Sequence, residues 1–164
     1  MSLPAGKYII DGRDFWTIYS ILVESGSDGF LRYPSKKDSI QKDWSDADGI
    51  DIDLSGVYFN AREISLKCAI IANDEADFWL KYEAFIVQWK QPGIHRIEVG
   101  EFGLRSFYCY YKDTSSFERF TPVQDGNGQL KIACKFTLNI IEAEPKLNNN
   151  NVFIITQDGR FLIT

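Results

Sequence analysis

The stretch Leu130-Lys-Ile-Ala-Cys-Lys-Phe-Thr-Leu-Asn-Ile140 constrains this chain more than any other. Leu130, Ile132, Cys134, Phe136, Leu138 and Ile140 occupy every second position. Successive side chains of a strand point to opposite faces, so this pattern demands a long β-strand with one face in a core and one facing water. A second run, Arg62–Ala72, places Ile64, Leu66, Cys68 and Ile70 on one face in the same way. Two such strands need a shared apolar layer, which makes an antiparallel, mainly β architecture the expectation.

Other short β-type runs surround them, punctuated by glycine. Residues 7–11 and 15–25 are rich in aromatic and β-branched side chains and are cut by Gly12, Gly26 and Gly29. Gly100-Glu101-Phe102-Gly103 and Asp125-Gly126-Asn127-Gly128 each read as a hairpin connection. Residues 49–59 alternate, with Ile50, Ile52 and Leu54 opposed to Asp51 and Asp53, and so read as a further strand. Residues 26–43 contain Gly26, Gly29, Pro34 and Lys36-Lys37 and read as a long loop, with 31–43 an arm for docking. The polar stretch 144–151 reads as a linker to a terminal hairpin over 152–163 that turns at Asp158-Gly159. A lone two-stranded hairpin is unstable in water, so this one needs a surface to dock on.

One helix is expected, at about 74–90. Asn73 or Asp74 caps it, Asp74, Glu75 and Asp77 suit the positive end of the dipole, and Pro92-Gly93 follows its end. Phe78, Tyr82, Phe85, Ile86 and Trp89 form a wide apolar stripe. Ala76, Leu80, Ala84 and Val87 form a second, narrower stripe on the opposite side. That second stripe packs either within the fold or against another subunit.

With 164 residues the chain has room for one domain, 1–164, with a core large enough to fold without staples. Aromatic residues make up 15% of it, which excludes a disordered chain. The net charge of -5 and the lack of a Lys/Arg cluster argue against a protein that grips nucleic-acid phosphates. They leave open a surface past which DNA slides without sticking. Cys68, Cys109 and Cys134 lie far apart in apolar runs, as buried free thiols of a reducing compartment do. The N-terminal residues lack the pattern of a secretion signal and no segment is apolar enough to span a membrane, so synthesis in a cytoplasm without membrane insertion is expected.

Residues 42–56, KDWSDADGIDIDLSG, imitate a calcium loop. With Gly49 at the sixth position, Asp46 and Asp48 occupy the third and fifth, but Trp44 stands at the first and Ser55 at the twelfth. Two essential oxygen ligands are therefore missing, and a strand-like run follows where a helix is needed. The run reads instead as a turn followed by the solvated face of a strand. His95, the only histidine, has no adjacent nucleophile motif and reads as structural. No catalytic residue, cofactor or metal is expected.

The order of the pieces carries more than any one of them. The runs YIIDGRDFWTIYSILVESG, PSKKDSIQKDWSDADGIDIDL, FNAREISLKCAIIA, DFWLKYEAFIVQW, QPGIHRIEV, SFYCYYKD and FLIT together resemble distal tail, or baseplate hub, proteins of long-tailed phages and prophages, above all those of gut Bacteroidetes. Asp43-Trp44 to Gly49, Arg62 and the helix ending at Pro92-Gly93 are the most specific elements. The resemblance implies a β-sandwich or barrel-like tail-tube fold with one flanking helix, closing as a homo-hexameric ring around a channel for DNA. It implies a virion structural protein between a tail-tube protein and a tail-tip or hub protein. Larger members often carry a second, carbohydrate-binding-like domain, for which this sequence has no counterpart.

On that reading Leu80, Ala84 and Val87 are candidates for subunit packing. Arg62 is a candidate for an ion pair across the subunit contact, against the alternative of a surface arginine at a strand start. Asp51 and Asp53 are candidates for facing the channel. A tail-tube subunit of the same fold stands as an alternative. So does a carbohydrate- or protein-binding β-sandwich, favoured if Trp16, Trp44 and Tyr111 line one groove.

Overall fold

The computed structural model describes residues 5–103, 105–118 and 120–145, together with the backbone of 154–155 and 161–162. The protein is mainly β: a curled antiparallel sheet wraps one long helix. In chain order the elements are β1 (Tyr8–Ile10), β2 (Arg13–Asp14), α1 (Phe15–Tyr19), β3 (Ile21–Ser25), β4 (Gln41–Asp43), β5 (Ile50–Ile52), β6 (Arg62–Ala72) and α2 (Glu75–Trp89). They continue with β7 (His95–Val99), β8 (Arg105–Ser115), β9 (Thr121–Gln124), β10 (Leu130–Glu142), β11 (Ile154–Ile155) and β12 (Phe161–Leu162).

The sheet runs β2-β1-β7-β8-β10-β6-β3, with β9 on β10. Its centre is the pair foreseen from alternation: β10 and β6 match over eleven residues, from Ile132 opposite Ala72 to Glu142 opposite Arg62. The curl comes from β8, whose first half pairs with β7 through Arg105–Cys109 and whose second half pairs with β10 through Tyr110–Ser115. A strand shared in this way turns one sheet into two facing halves, and their inner side chains make a single core. Ile64, Leu66, Ile70, Leu138, Ile140, Ile97 and Val99 are fully buried there. Helix α2 closes the open side with Phe78, Phe85 and Trp89, as its wide stripe requires.

Asp74 caps α2, its side chain accepting the Asp77 N–H at 2.8 Å. Both glycine-bearing connections join antiparallel pairs, β7 to β8 and β9 to β10.

Two expectations from sequence need correction. Residues 15–25 are not one β run. Phe15–Tyr19 is a short helix, because the Asp14 carboxylate accepts the N–H groups of Trp16 and Thr17 and the i, i+4 pair Phe15 and Tyr19 both bury. Local capping and burial override β propensity here. Ser20, at φ 54°, ends the helix, and the strand begins only at Ile21.

Residues 49–59 are not a half-buried strand either. Only Ile50–Ile52 is β, paired with β4 in a separate two-stranded ribbon, and Ile50, Ile52 and Leu54 are all exposed. Among the described residues no core receives this alternation. In the terminal hairpin, Ile154 pairs with Leu162 and Ile155 with Phe161. Residues 146–151 of the linker 144–151 and the rest of 152–163 lie outside the described residues.

Candidate functional site

Residues 31–60 leave the sheet as an arm with two legs. At its root, Asn60 N–H donates to Ser35 O at 2.9 Å and Lys37 N–H to Tyr58 O at 2.7 Å. Further out, Asp53 N–H donates to Ile40 O and β4 pairs with β5. The expected loop 31–43 is thus one leg of a ribbon whose other leg is the acidic run. Half of the large apolar side chains exposed among the described residues sit on this arm, Ile40, Ile50, Leu54 and Tyr58 among them. An apolar ribbon of this kind is costly to leave in water.

Asp51 and Asp53 are on the ribbon, exposed. Asp53 Oδ1 accepts the Ser55 N–H at 2.9 Å, and the Ser55 hydroxyl, followed by this N–H, holds its carboxyl below the usual range. Among the described residues no three His, Cys, Asp or Glu side chains are placed to hold a metal ion.

Arg62 has a different position from either sequence reading. Its side chain is 10% exposed and forms an ion pair with Glu142, itself 4% exposed, across the β6–β10 ladder. Arg62 Nη1 also donates to Phe30 O at 2.9 Å and to Arg32 O at 2.7 Å. The guanidinium is therefore spent inside the chain, where it ties the root of the arm to the sheet.

Leu80, Ala84 and Val87 form an exposed stripe on α2, with Leu80 at 71% and Val87 at 54%. Among the described residues nothing covers this stripe.

The outer face of the central sheet is polar. Lys112 Nζ reaches Glu63, Ser65 bonds Asn139, Asn139 donates to Asp113 and Ser115, and Lys135 reaches Glu24. Those contacts set acids Glu24, Glu63 and Asp113 against the bases Lys112 and Lys135, with Lys67 also exposed on the same face of β6. Charge is balanced, three against three. Sequence reading missed this surface, although the signal was present: it is the polar half of the same alternation that identified β6 and β10.

A concave apolar groove of about 740 Å³ opens between α2 and β10, lined by Phe78, Trp79, Tyr82, Phe117, Phe120 and Cys134. It arises from a register break. β10 pairs with β8 up to Thr137 opposite Ser115, and with β9 from Ala133 opposite Thr121. The connection between Ser115 and Thr121, five residues by sequence, therefore spans only three of β10, 134–136. Ser116 takes φ 55° there, Phe117 stacks on Phe136, and Phe120 meets Phe78 edge-on. Trp16 on α1, Trp44 on the arm and Tyr111 against the core are separate from this lining.

The remaining reactive side chains are built into the fold. His95 is buried, with Nδ1 2.7 Å from Asp11 Oδ2 and Nε2 3.2 Å from Gln91 O, so both ring nitrogens are occupied. Burial pushes the Asp11 carboxyl up, but hydrogen bonds from His95, the Arg96 N–H and Gln88 outweigh it and leave it below the usual carboxylate range. Cys68, Cys109 and Cys134 are free and buried, and burial pushes the Cys109 thiol up to about 12. Such thiols are poor nucleophiles. No described helix is long and apolar enough to cross a membrane.

No protein-family model and no curated protein matches this sequence. Among solved structures the fold is similar to the crystal structure of SPP1 Dit (gp 19.1), described as a paradigm of hub adsorption apparatus in Gram-positive infecting phages. The match has a TM-score of 0.61 at 19% identity, covering 85% of this chain and 50% of that one. The chain spans half the length of that protein, and what they share is the fold.

Proposed function

We propose that this protein is a non-enzymatic structural subunit of a phage or prophage tail, forming a ring at the distal end of the tail tube. The fold it shares with SPP1 Dit over 85% of its length is the observation that carries this reading. The surfaces add physical support. A ring of identical chains needs two different, complementary patches, so that each copy gives one and receives the other. The arm 31–60 is one, and the α2 stripe of Leu80, Ala84 and Val87 is the other. Arg62 serves this contact from behind, by fixing the root of the arm through the carbonyls of Phe30 and Arg32.

Six copies in this ring enclose a channel for DNA, with a tail-tube protein on one side and a tail-tip or hub protein on the other. Asp51 and Asp53 face that channel in the proposal. The charge-balanced sheet face suits the same task, because it neither concentrates nor strongly repels phosphate. A tail-tube subunit would use the same fold and the same two patches, at another level of the tail.

Light scattering over a wide concentration range, with electron microscopy, tests the proposal. A hexamer-sized species with a central channel is expected. Leu80→Asp and Val87→Asp should abolish it and leave a folded monomer. A protein that stays monomeric at high concentration, and also when mixed with its tail-tube partner, refutes ring formation.

A further inference from the structure

We infer that the aromatic groove beside α2 is the seat of the chain's own C-terminal hairpin, residues 152–163. The inference is independent of ring formation.

The groove presents almost no polar surface: Trp79, Phe117 and Phe120 are each partly exposed and turn their rings into one concavity. Nothing in the described chain fills it. Open grooves of this size lined by aromatic side chains bind apolar ligands or apolar segments.

The hairpin has the opposite problem. Val152, Phe153, Ile154, Ile155, Phe161, Leu162 and Ile163 make its sequence predominantly apolar. The paired residues Ile154–Leu162 and Ile155–Phe161 form a two-stranded sheet that joins no other described strand. A hairpin alone in water is at best marginally stable and needs a third surface against which to bury its apolar side chains.

Chain length allows the two to meet. β10 carries the backbone away from the groove, from Cys134 to Glu142. Those eight steps cover about 27 Å at strand rise. The nine steps back from Pro145 to Ile154 can span roughly 30 Å when extended. The polar composition of 146–151, Lys-Leu-Asn-Asn-Asn-Asn, suits a connection running across the surface in this way.

Charge agrees as well. Among the described residues Glu118 is the charged one in the groove lining, and Arg160, next to Phe161, is the basic residue of the hairpin. With the apolar strands seated on Trp79 and Phe120, the turn would bring Arg160 to the acidic rim. Of the two apolar segments that could seek this groove, the arm of a second copy is the competitor. The hairpin is tethered, which gives it an effective concentration that a free second copy lacks.

Hydrogen exchange on the full chain tests the inference, comparing wild type, Trp79→Asp and Phe161→Asp. In wild type the amides of 154–155 and 161–162 should exchange at least roughly tenfold more slowly than in an unstructured chain, independently of protein concentration. Both variants should remove that protection and leave the amides of β6 and β10 unchanged, which shows that the fold is intact. Phe161→Asp should also expose the groove to an apolar dye, whereas wild type binds little. Unprotected hairpin amides in wild type would overturn the inference. So would protection that survives Trp79→Asp. Protection that appears only at high protein concentration would overturn it too, in favour of a second copy as the occupant.

Discussion

Replacing Arg62 by Met removes one half of a nearly dry ion pair. Its side chain is 10% exposed and that of its partner, Glu142, is 4% exposed, so water cannot take over the role of the lost guanidinium. A buried charge left alone in this way costs about 3–5 kcal/mol. The loss includes two hydrogen bonds from Nη1 to the carbonyls of Phe30 and Arg32. Those carbonyls lie toward the edge, where water substitutes for part of each bond, at a net cost of about 1 kcal/mol for each. Urea unfolding should therefore show Arg62→Met destabilised by roughly 5–7 kcal/mol without a change in m-value. The double variant Arg62→Met/Glu142→Leu removes the orphaned charge and should recover most of the ion-pair share, returning to within about 2 kcal/mol of wild type. Limited proteolysis separates the two roles of Arg62. The double variant should still be cut faster within the arm, because nothing then holds the Phe30 and Arg32 carbonyls. If the single variant costs less than about 1 kcal/mol, or if the double variant is no better than the single, the pair is not the buried element described.

Further outcomes follow from the same contacts. Phe85→Ala should cost about 3–5 kcal/mol in urea unfolding, since Phe85 is fully buried against Phe15, Tyr19 and Trp89. Leu80→Asp and Val87→Asp, on the exposed stripe, should change stability by less than about 0.5 kcal/mol as monomers. The Asn73 N–H and the Lys81 ammonium hold the Asp77 carboxyl below its usual value, so its contribution is fully present above pH of about 4 and is lost as pH falls through the depressed native value. The stability gap between wild type and Asp77→Asn should accordingly close below that pH. All three cysteines should resist a thiol reagent in native protein and react together on unfolding, as followed by absorbance. Deleting 31–41 should abolish any ring, and unchanged assembly would rule the arm out as a contact.

The core of this fold could be read from one dimension because its information is periodic. Alternation along 62–72 and 130–140 gives a face for every side chain, and the i, i+4, i+7 pattern with an acidic first turn gives α2. These patterns act between near neighbours, so no tertiary knowledge was needed to place Ile64, Phe136 or Phe85 inside. The same logic misled at 49–59. Alternation says that two faces differ, and it does not say that a core exists to receive one of them. Only the tertiary structure decided that Ile50, Ile52 and Leu54 sit on an exposed ribbon. It alone decided that Phe15–Tyr19 is a helix, since one cap and one buried pair outweighed β-type composition.

The pairing of Arg62 with Glu142 and the aromatic groove are further from sequence still. The ion pair joins residues 80 positions apart through the register of β6 on β10. The groove exists because the five-residue connection between β8 and β9 spans only three residues of β10. Register and bulges are set by the sum of all cross-strand contacts, and no local run of residues contains that sum.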